Sequence, residues 1–391
     1  MTSDEVSQVS VGQRLGSYEL VRPLAQGGMA DVFLAKADDA HVALKILNAQ
    51  RSTDHESCAL FLDEARLAGL LSHKNIASVL GADVASGIHY LAMEYVHGAD
   101  LREVLLAASH SGAGIPFEMS LSIVAQAAAG LDHAHRRCDA NGKPLYLVHR
   151  DVSLSNIMVG HDGTVKVVDF GIARSTMSTV HTSPGIVRGK ASYMSPEQCM
   201  GDKVDHLTDV FALGIVLYEL TTGARCFHGK TDFERMLAVV RGDFIAPSDL
   251  ISDYPIELEQ VVRTALASDR STRYPSCAAM VEALERVMAG RGWARGTDTI
   301  RNVMHSLFGD VREPWRVADE DVPSTEVHDV IAPEDGGGSA LVTAKLTRPK
   351  RFPHGTLSDI YDPRDWRADI DEAATRGRRR MCRASIPRLA A

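Results

Sequence analysis

Apolar and polar residues follow one another in two different patterns along this chain. Between residues 18 and 96, short apolar runs such as VALKIL and GIHYLAMEYV are typical of strands, and one longer segment with apolar residues three or four positions apart predicts a helix among them. Between residues 97 and 289, segments with helical spacing predominate. We therefore predict an α+β fold with a small β-rich lobe, a larger helical lobe and a cleft between them, where small-molecule sites tend to form.

Both ends of the chain differ in composition from the part between them. Residues 1–17 are polar and are predicted to be a flexible N-terminus. Residues 290–391 are predicted to be a C-terminal tail that is disordered or only partly ordered, because acidic residues, the linker GGGS and an Arg-rich end follow one another there. Within this tail, apolar residues at helical spacing predict one amphipathic helix near residues 299–309.

The composition is that of a globular protein, with 45% hydrophobic and 24% charged residues. The formal net charge of −9 gives no general attraction to nucleic acid or to an anionic membrane. Six cysteines are scattered without a CxxC pair, which favours reduced thiols in a cytoplasmic protein over disulfides or a zinc site. The N-terminus shows no signal-peptide pattern, and the longest apolar stretch contains Glu219 and is too short for a membrane span. The sequence does not indicate an oligomeric state.

A glycine-containing turn and a lysine–glutamate pair are the first features with candidate chemistry. Gly27 and Gly28 lie between two predicted strands, where a bare backbone can approach phosphates, although a glycine pair alone is usually only a turn. Lys45 lies on a predicted strand, and a single lysine there is more often solvated. Glu64, on the helix that follows, is placed to form an ion pair that would fix Lys45 over nucleotide phosphates.

A second group of motifs lies in a loop-rich part of the helical lobe. The stretch VHRDVSLSNIM contains Asp151, which is suited to orient a hydroxyl group and accept its proton. Asn156 and Asp169, the latter in an Asp-Phe-Gly tripeptide, are hard oxygen ligands suited to Mg²⁺. Each motif alone has an ordinary explanation as a turn or a surface run. Their joint order, which ends with Ser-Pro-Glu at residues 195–197, is not a coincidence.

With this set of motifs, the span from residue 18 to residue 288 resembles the eukaryotic-like Ser/Thr protein kinases of bacteria. The resemblance implies the bilobal protein-kinase fold, ATP and Mg²⁺ as cofactors, and protein substrates carrying Ser or Thr. It also implies that Glu197 pairs with Arg273, and that Asp209 holds the catalytic loop. The implied catalytic residues are Asp151, Lys45 and Asn156, and the implied metal ligands are Asn156 and Asp169. The implied ATP site, with Met93 as gate and Glu94 and Val96 in the hinge, comprises Leu24, Ala25, Gly27, Gly28, Val32, Ala43, Lys45, Glu64, Met93, Glu94 and Val96.

Several positions depart from the pattern of this family. Ala25 and Ala30 replace glycines of the fullest pattern, which indicates a slightly stiffer glycine loop. Ser153 and Leu154 stand where the family usually has Lys and Pro, and Lys190 stands where it usually has Thr. One hypothesis is that Lys190 is a catalytic residue and supplies the cation that Ser153 cannot. The other is that Lys190 faces solvent and serves peptide selectivity.

An active Ser/Thr protein kinase is the function that the motifs favour, and a pseudokinase that serves as a binding module is the alternative. A small-molecule kinase would not need residues 171–197, which are typical of an activation loop that ends in a peptide-binding platform. Tyrosine specificity is less favoured, because the catalytic loop lacks the Arg that tyrosine kinases place near the catalytic Asp, while dual specificity stays open. Arg150, just before the catalytic Asp, predicts autophosphorylation of the activation loop at Thr182 or a near neighbour.

Overall fold

The structure is a computed structural model that describes residues 9–38, 40–52, 54–112, 114–170, 190–294 and 296–315, with side chains for all of these except residues 49, 50, 190 and 191. By its internal contacts the chain divides into two compact units, Met1–Val311 and Arg312–Ala391. All the strands and helices given below belong to the first unit. They form two lobes, one built on a sheet and one built of helices, so the predicted α+β architecture is confirmed.

The first lobe contains a six-stranded antiparallel sheet with the spatial order β1–β2–β3–β4–β6–β5. Buried residues alternate with partly exposed ones along most of β4, the pattern of a strand with one face on a core. This alternation leaves Ala43 and Lys45 together on the face opposite the core. The strands are β1 (Arg14–Leu15), β2 (Tyr18–Ala25), β3 (Ala30–Ala37), β4 (Ala40–Leu47), β5 (Val79–Ala85) and β6 (Ile88–Glu94).

Two helices, α1 (Ala49–Ser52) and α2 (His55–Ala68), connect β4 to β5. The carboxylate of Asp54 caps α2 by accepting from the backbone N–H groups of the first helical turn. Phe61 and Ala65 of this helix are buried in one cluster with residues of β4 and β6. The helix is therefore held against the sheet, and its buried face also carries Glu64.

The second lobe is built around α6, which is apolar on nearly all sides and almost completely buried, as expected for a central helix. A three-stranded sheet of β7, β8 and β9 lies in the same lobe. The elements are β7 (Gly98–Asp100), α3 (Leu101–Ser111), α4 (Phe117–His135), β8 (Ile157–Gly160), β9 (Val165–Val167), α5 (Pro196–Met200), α6 (Leu207–Thr222), α7 (Asp232–Arg241), α8 (Pro247–Leu250), α9 (Ile256–Ala265), α10 (Cys277–Arg291) and α11 (Thr297–Phe308).

The compact unit extends beyond the predicted domain limits at both ends. Leu15 is buried in a strand ahead of residue 18, because its side chain joins the core of the sheet. At the other end α10 runs past residue 289, and Ile300 and Met304 of α11 are completely buried, so this helix belongs to the packed unit. The predicted helix near residues 299–309 is thus present, slightly shifted towards the N-terminus. Residues 316–391 of the predicted tail and residues 1–8 of the predicted N-terminus lie outside the described residues.

None of the helices in the described part of the chain combines the length and the apolar character needed to cross a bilayer.

Candidate active site

The face of the first-lobe sheet opposite its core presents a group of small and apolar side chains around Lys45. In the pairing of β3 with β4, Val32 lies opposite Lys45. In the pairing of β4 with β6, Met93 lies opposite Ala43. Because Ala43 and Lys45 are two positions apart on one strand, the four side chains belong to neighbouring positions of one surface. The strand register thus brings together four residues that the sequence predicted for a nucleotide site.

Lys45 contacts two carboxylates that come from distant parts of the chain. Its Nζ lies 2.8 Å from Oε1 of Glu64 and 3.1 Å from Oδ1 of Asp169. Burial by itself would lower the pKa of Lys45, but the charges of Asp169 and Glu64 raise this pKa above its usual value. The lysine is therefore charged, and the predicted ion pair between strand and helix is present.

The turn between β2 and β3 is fixed by hydrogen bonds that involve Gly27. Its N–H donates to Oδ1 of Asp31 over 3.2 Å, and its carbonyl accepts from Nδ2 of Asn48 over 2.8 Å. A Cβ at Gly27 would lie only 2.8 Å from the carbonyl oxygen of Ala30, so glycine is required there. Gly28 is exposed at the tip, and Leu24 and Ala25 lie at the end of β2. Asn48 was not predicted, and an isolated Asn after a strand gives no sequence signal for this contact.

The segment that joins the lobes begins at Glu94, the last residue of β6. The carboxylate of Glu94 pairs with Lys166 of β9 at 2.8 Å and accepts from the N–H of Ser78 at 3.1 Å. Val96, two residues on, is partly exposed. The side chain of Glu94 therefore ties the sheet of one lobe to the small sheet of the other, a role that the sequence did not reveal.

The catalytic-loop motif is held by Asp209 at the start of α6. Its two carboxylate oxygens accept from the backbone N–H groups of His149 and Arg150, each at 2.9 Å. His135, at the end of α4, contacts the same carboxylate through Nε2 at 2.7 Å. The ring of His149 lies 4.7 Å from that of Phe170, measured between centroids. Asp209 therefore holds the loop as predicted, while the contact with His135 was not foreseen.

Asp151 and Asn156 are neighbours at the end of this loop. The Nδ2 group of Asn156 donates to the carbonyl oxygen of Asp151 over 2.7 Å, which leaves the amide oxygen as the atom of Asn156 suited to a cation. Together with the carboxylate of Asp169 this makes a pair of hard oxygen donors, a set that fits Mg²⁺ when phosphates and water supply the other ligands. The described residues contain no cluster of three or more His, Cys, Asp or Glu side chains that would form a metal site by themselves.

Glu197 and Arg273 form a buried bidentate pair, with two nitrogen–oxygen distances of 2.8 and 2.9 Å. Thr208 adds a hydrogen bond of 2.7 Å to the same carboxylate. Burial alone would raise the pKa of Glu197, but the hydrogen bonds from Arg273 and Thr208 lower this pKa to about 2. Helix α5 is therefore attached to the core of the second lobe by an ionised pair, and the pairing of Glu197 with Arg273 is the predicted one.

The Protein kinase domain model matches residues 18–284 of this chain. The chain belongs to the protein kinase family. It is 39% identical over 281 residues to the serine/threonine-protein kinase PknB of Mycobacterium leprae, a match that covers 70% of this chain and 43% of PknB. It is 36% identical over 357 residues to the tyrosine-protein kinase MasK of Myxococcus xanthus, covering 90% of this chain and 54% of MasK.

Among solved structures, the kinase domain of PknI from Mycobacterium tuberculosis matches with a TM-score of 0.54 and 26% sequence identity, over 72% of this chain and 99% of the PknI domain. The bilobal protein-kinase fold expected from the sequence is thus confirmed. The chain spans only about half of the length of the curated relatives it matches, or less.

Ser153 and Lys190 both depart from the usual family pattern, but the structure describes the side chain of Ser153 only. Ser153 is buried, and its hydroxyl group lies 3.0 Å from that of Ser155. Lys190 begins a 3₁₀ turn, Lys190–Tyr193, but its side chain lies outside the described residues. The exchange of roles between these two positions therefore stays a hypothesis. Thr182 and the rest of residues 171–189 also lie outside the described part.

Proposed function

We propose that this chain is an active, ATP- and Mg²⁺-dependent protein kinase that transfers phosphate to Ser and Thr hydroxyl groups of protein substrates. The observation that carries this proposal is the position of Lys45, whose ammonium group contacts Glu64 and Asp169 at the same time. These two contacts require that α2 and the Asp-Phe-Gly segment both lie against the cleft, which is the arrangement that phosphoryl transfer by protein kinases needs. A decayed kinase would not need to keep all of these groups.

Each residue of the site has a role that follows from its chemistry. Lys45, fixed by Glu64, would hold nucleotide phosphates. Asp151 would orient the acceptor hydroxyl group and accept its proton, since a carboxylate beside the cleft can act as a general base. Asn156 and Asp169 would bind Mg²⁺, which would neutralise the charge that develops on the phosphates.

The adenine part of the nucleotide would lie on the face formed by Val32, Ala43 and Met93. Leu24, Ala25 and Val96 would border the same pocket, and the hinge backbone at Glu94 and Val96 would hydrogen-bond the base. Gly27 and Gly28 would cover the phosphates with backbone N–H groups. The strand register supports this assignment, since Val32 pairs with both Ala25 and Lys45, and Met93 pairs with Ala43.

A pseudokinase that binds a partner is the alternative function. It would explain Ser153 at a position where the family usually has Lys, but it gives no reason for the paired Lys45, Glu64 and Asp169. A second candidate activity is phosphorylation of tyrosine beside Ser and Thr. The similarity to MasK, a tyrosine-protein kinase, over 90% of the chain favours this candidate.

The test is an incubation of the purified chain with labelled ATP, Mg²⁺ and a generic basic protein, followed by analysis of the phosphorylated amino acids. The Asp151→Asn variant is the control, because it keeps the shape of the side chain and removes the base. We expect phosphoserine and phosphothreonine with the unchanged chain and a loss of about 10³-fold or more with the variant. No labelling by either protein would favour the binding module, and equal labelling by both would show that the transfer does not depend on Asp151. Phosphotyrosine would establish dual specificity.

Autophosphorylation of the activation loop is the regulation that we propose for this activity. The backbone of Arg150 has φ 65°, and its N–H donates to Asp209, so this cationic residue is anchored at its backbone directly before Asp151. A phosphate at Thr182 or a near neighbour would pair with this cation. Mass spectrometry of chain made in a heterologous host should find phosphate between residues 174 and 190, and none in the Asp151→Asn variant. An active chain without phosphate there would contradict the switch.

We further propose that the kinase works in the cytoplasm, because the five cysteines in the described part of the chain are all free thiols. Fractionation of the native cell, followed by immunodetection, would test this placement, and recovery in an oxidising compartment would contradict it.

A further inference from the structure

Helix α11 lies beyond residue 284, where the match to the kinase domain model ends, yet it is packed into the second lobe. Ile300 and Met304, one turn apart on this helix, are both completely buried. The helix contacts α3 and α4. It is therefore part of the folded kinase unit and is positioned by burial of its apolar face.

The N-terminal half of α11 rests on the turn between β8 and β9. Arg301 donates from Nε to the carbonyl oxygen of Asp162 over 3.1 Å. The next residue of the turn, Gly163, has φ +86°, and a Cβ there would collide with the carbonyl oxygen of Thr297. The backbone of the helix thus lies directly against the backbone of the turn, which only a glycine permits.

The C-terminal end of α11 and the residues after it reach the segment that joins the lobes. Nε2 of His97 lies 2.9 Å from the carbonyl oxygen of Val311. The ring of His97 lies 4.8 Å from that of His161, and the ring of His161 lies 5.9 Å from that of Phe308. The backbone N–H of His161 also donates to the carbonyl oxygen of His97 over 3.0 Å. His97 is therefore held both by the residues after β8 and by the chain that follows α11.

His97 is the residue at which these contacts can act on the hinge. It directly follows Val96 and directly precedes Gly98, which pairs with Gly160 of β8. A Cβ at Gly98 would collide with the carbonyl oxygen of Val159, so this end of the hinge has no free space. At the other end Glu94 is held by its ion pair across the lobes. The hinge segment between Glu94 and Gly98 is short, so a shift of His97 would also move Val96.

We propose that residues 297–311, called the clasp here, position the hinge through His97 and thereby raise the affinity for the nucleotide. This inference rests on the proposed kinase function, since it concerns the nucleotide of that same site. The physical reason is preorganisation: a hinge that is already fixed loses less conformational freedom when the nucleotide binds. His97 is thus a positioning residue, which acts through Val96 and does not itself touch the nucleotide.

The test changes the two residues that the clasp contacts, His97 and Gly163, in the full-length chain. His97→Ala removes the hydrogen bond to Val311, whereas His97→Gln keeps an N–H donor at about the same reach. Gly163→Ala forces the turn away from the helix. Its matched control is Gly87→Ala, because Gly87 also has a positive φ, +77°, in a turn between strands, but a Cβ there meets nothing within 4 Å. His110→Ala is the control for loss of an exposed histidine.

The readouts are the Kd for ATP with Mg²⁺, measured by calorimetry, and the KM for ATP and the kcat, measured separately. We expect the two clasp variants, His97→Ala and Gly163→Ala, to weaken ATP binding about two- to tenfold, the range of one neutral hydrogen bond, with kcat nearly unchanged. The variants His97→Gln, Gly87→Ala and His110→Ala should stay within about twofold of the unchanged chain.

Three other results would overturn the proposal in distinguishable ways. If the clasp variants lower only the unfolding temperature and leave Kd unchanged, α11 is a structural element and the clasp does not position the hinge. If His97→Gln is as impaired as His97→Ala, the contact with Val311 is not the cause. If the unchanged chain binds no ATP while it is folded, the proposed kinase function fails and the clasp fails with it.

Discussion

Among single residues, Lys45 joins two carboxylates from other segments of the chain, those of Glu64 and Asp169. The side chain of Lys45 is 14% exposed. Glu64 is more deeply buried than Asp169, with 10% against 39% of the side chain exposed. The Lys45–Glu64 pair is therefore the one less screened by solvent, and it is the stronger constraint on where the ammonium group lies. Asp169, in contrast, is accessible enough to exchange its contact with Lys45 for a metal ion.

Glu64→Gln should lower kcat/KM for ATP by about tenfold or more, because the lysine loses the charge that fixes it while the shape of the side chain is kept. Asp63→Asn is the matched control, since Asp63 is the exposed neighbour on the same helix. Steady-state kinetics at varied ATP concentration measures both variants. Unchanged kinetics of Glu64→Gln would show that Lys45 is positioned by other groups.

The Glu197–Arg273 pair predicts a pH dependence of stability. Because the folded-state pKa of Glu197 lies at about 2, below its ordinary value of 4.5, its ionised form stabilises the fold above pH 4.5, and this contribution is lost as the pH falls from 4.5 towards 2. Urea unfolding of the unchanged chain and of Glu197→Gln should therefore show a difference that is largest near neutral pH and shrinks in acid. Glu282→Gln, which removes an exposed carboxylate, should change the unfolding free energy by less than about 0.5 kcal/mol.

At the scale of elements, α6 places the catalytic loop by means of its first turn. Asp209 is completely buried and occupies both carboxylate oxygens with backbone N–H groups of the loop. Burial alone would raise the pKa of Asp209, but the contacts with His135 and with the N–H of His149 keep this pKa below its ordinary value. The positive φ of Arg150 is thus imposed by an ionised side chain of a neighbouring helix.

Asp209→Asn should lower kcat by about 10²-fold and leave the Kd for ATP nearly unchanged. One of the two backbone N–H groups would face an amide N–H in place of an oxygen, and the loop would shift while the nucleotide face around Lys45 stays in place. Asp205→Asn is the control, because an amide oxygen can replace its carboxylate as acceptor for the N–H of Leu207. If ATP binding weakened as much as kcat, the loop and the nucleotide site would not be separable in this way.

At the scale of the whole molecule, the folded kinase unit includes α11. A chain shortened to residues 1–311, the limits of the first compact unit, is the reference for this test. A chain shortened to residues 1–294 exposes the surface that Ile300 and Met304 cover, and burial of each such side chain is worth about 1.5–3 kcal/mol. We expect the shorter chain to lose about 3 kcal/mol or more of unfolding free energy. Equal stability of the two shortened chains would show that α11 is dispensable.

Local patterns in the sequence predict the two lobes, strands such as β4 and β6, and the order of the kinase motifs, whereas β1, β5 and β7 were not predicted. The patterns are the period of two in β4, the period near 3.6 in α2, and residue types at fixed spacing in the loop. The sequence also predicted which charges pair, Lys45 with Glu64 and Glu197 with Arg273, since the motifs of the family fix these partners.

Packing between distant segments brings residues without any sequence signal into contact with the site and the hinge. Lys166 was only a lysine between two valines, and His97 only a histidine after the hinge, until packing placed them against Glu94 and Val311. Periodicity shows which face of α11 is apolar, but not which surface that face covers. The physical reason is that contacts between residues distant in sequence depend on how whole elements pack, and the local pattern contains no information on that packing.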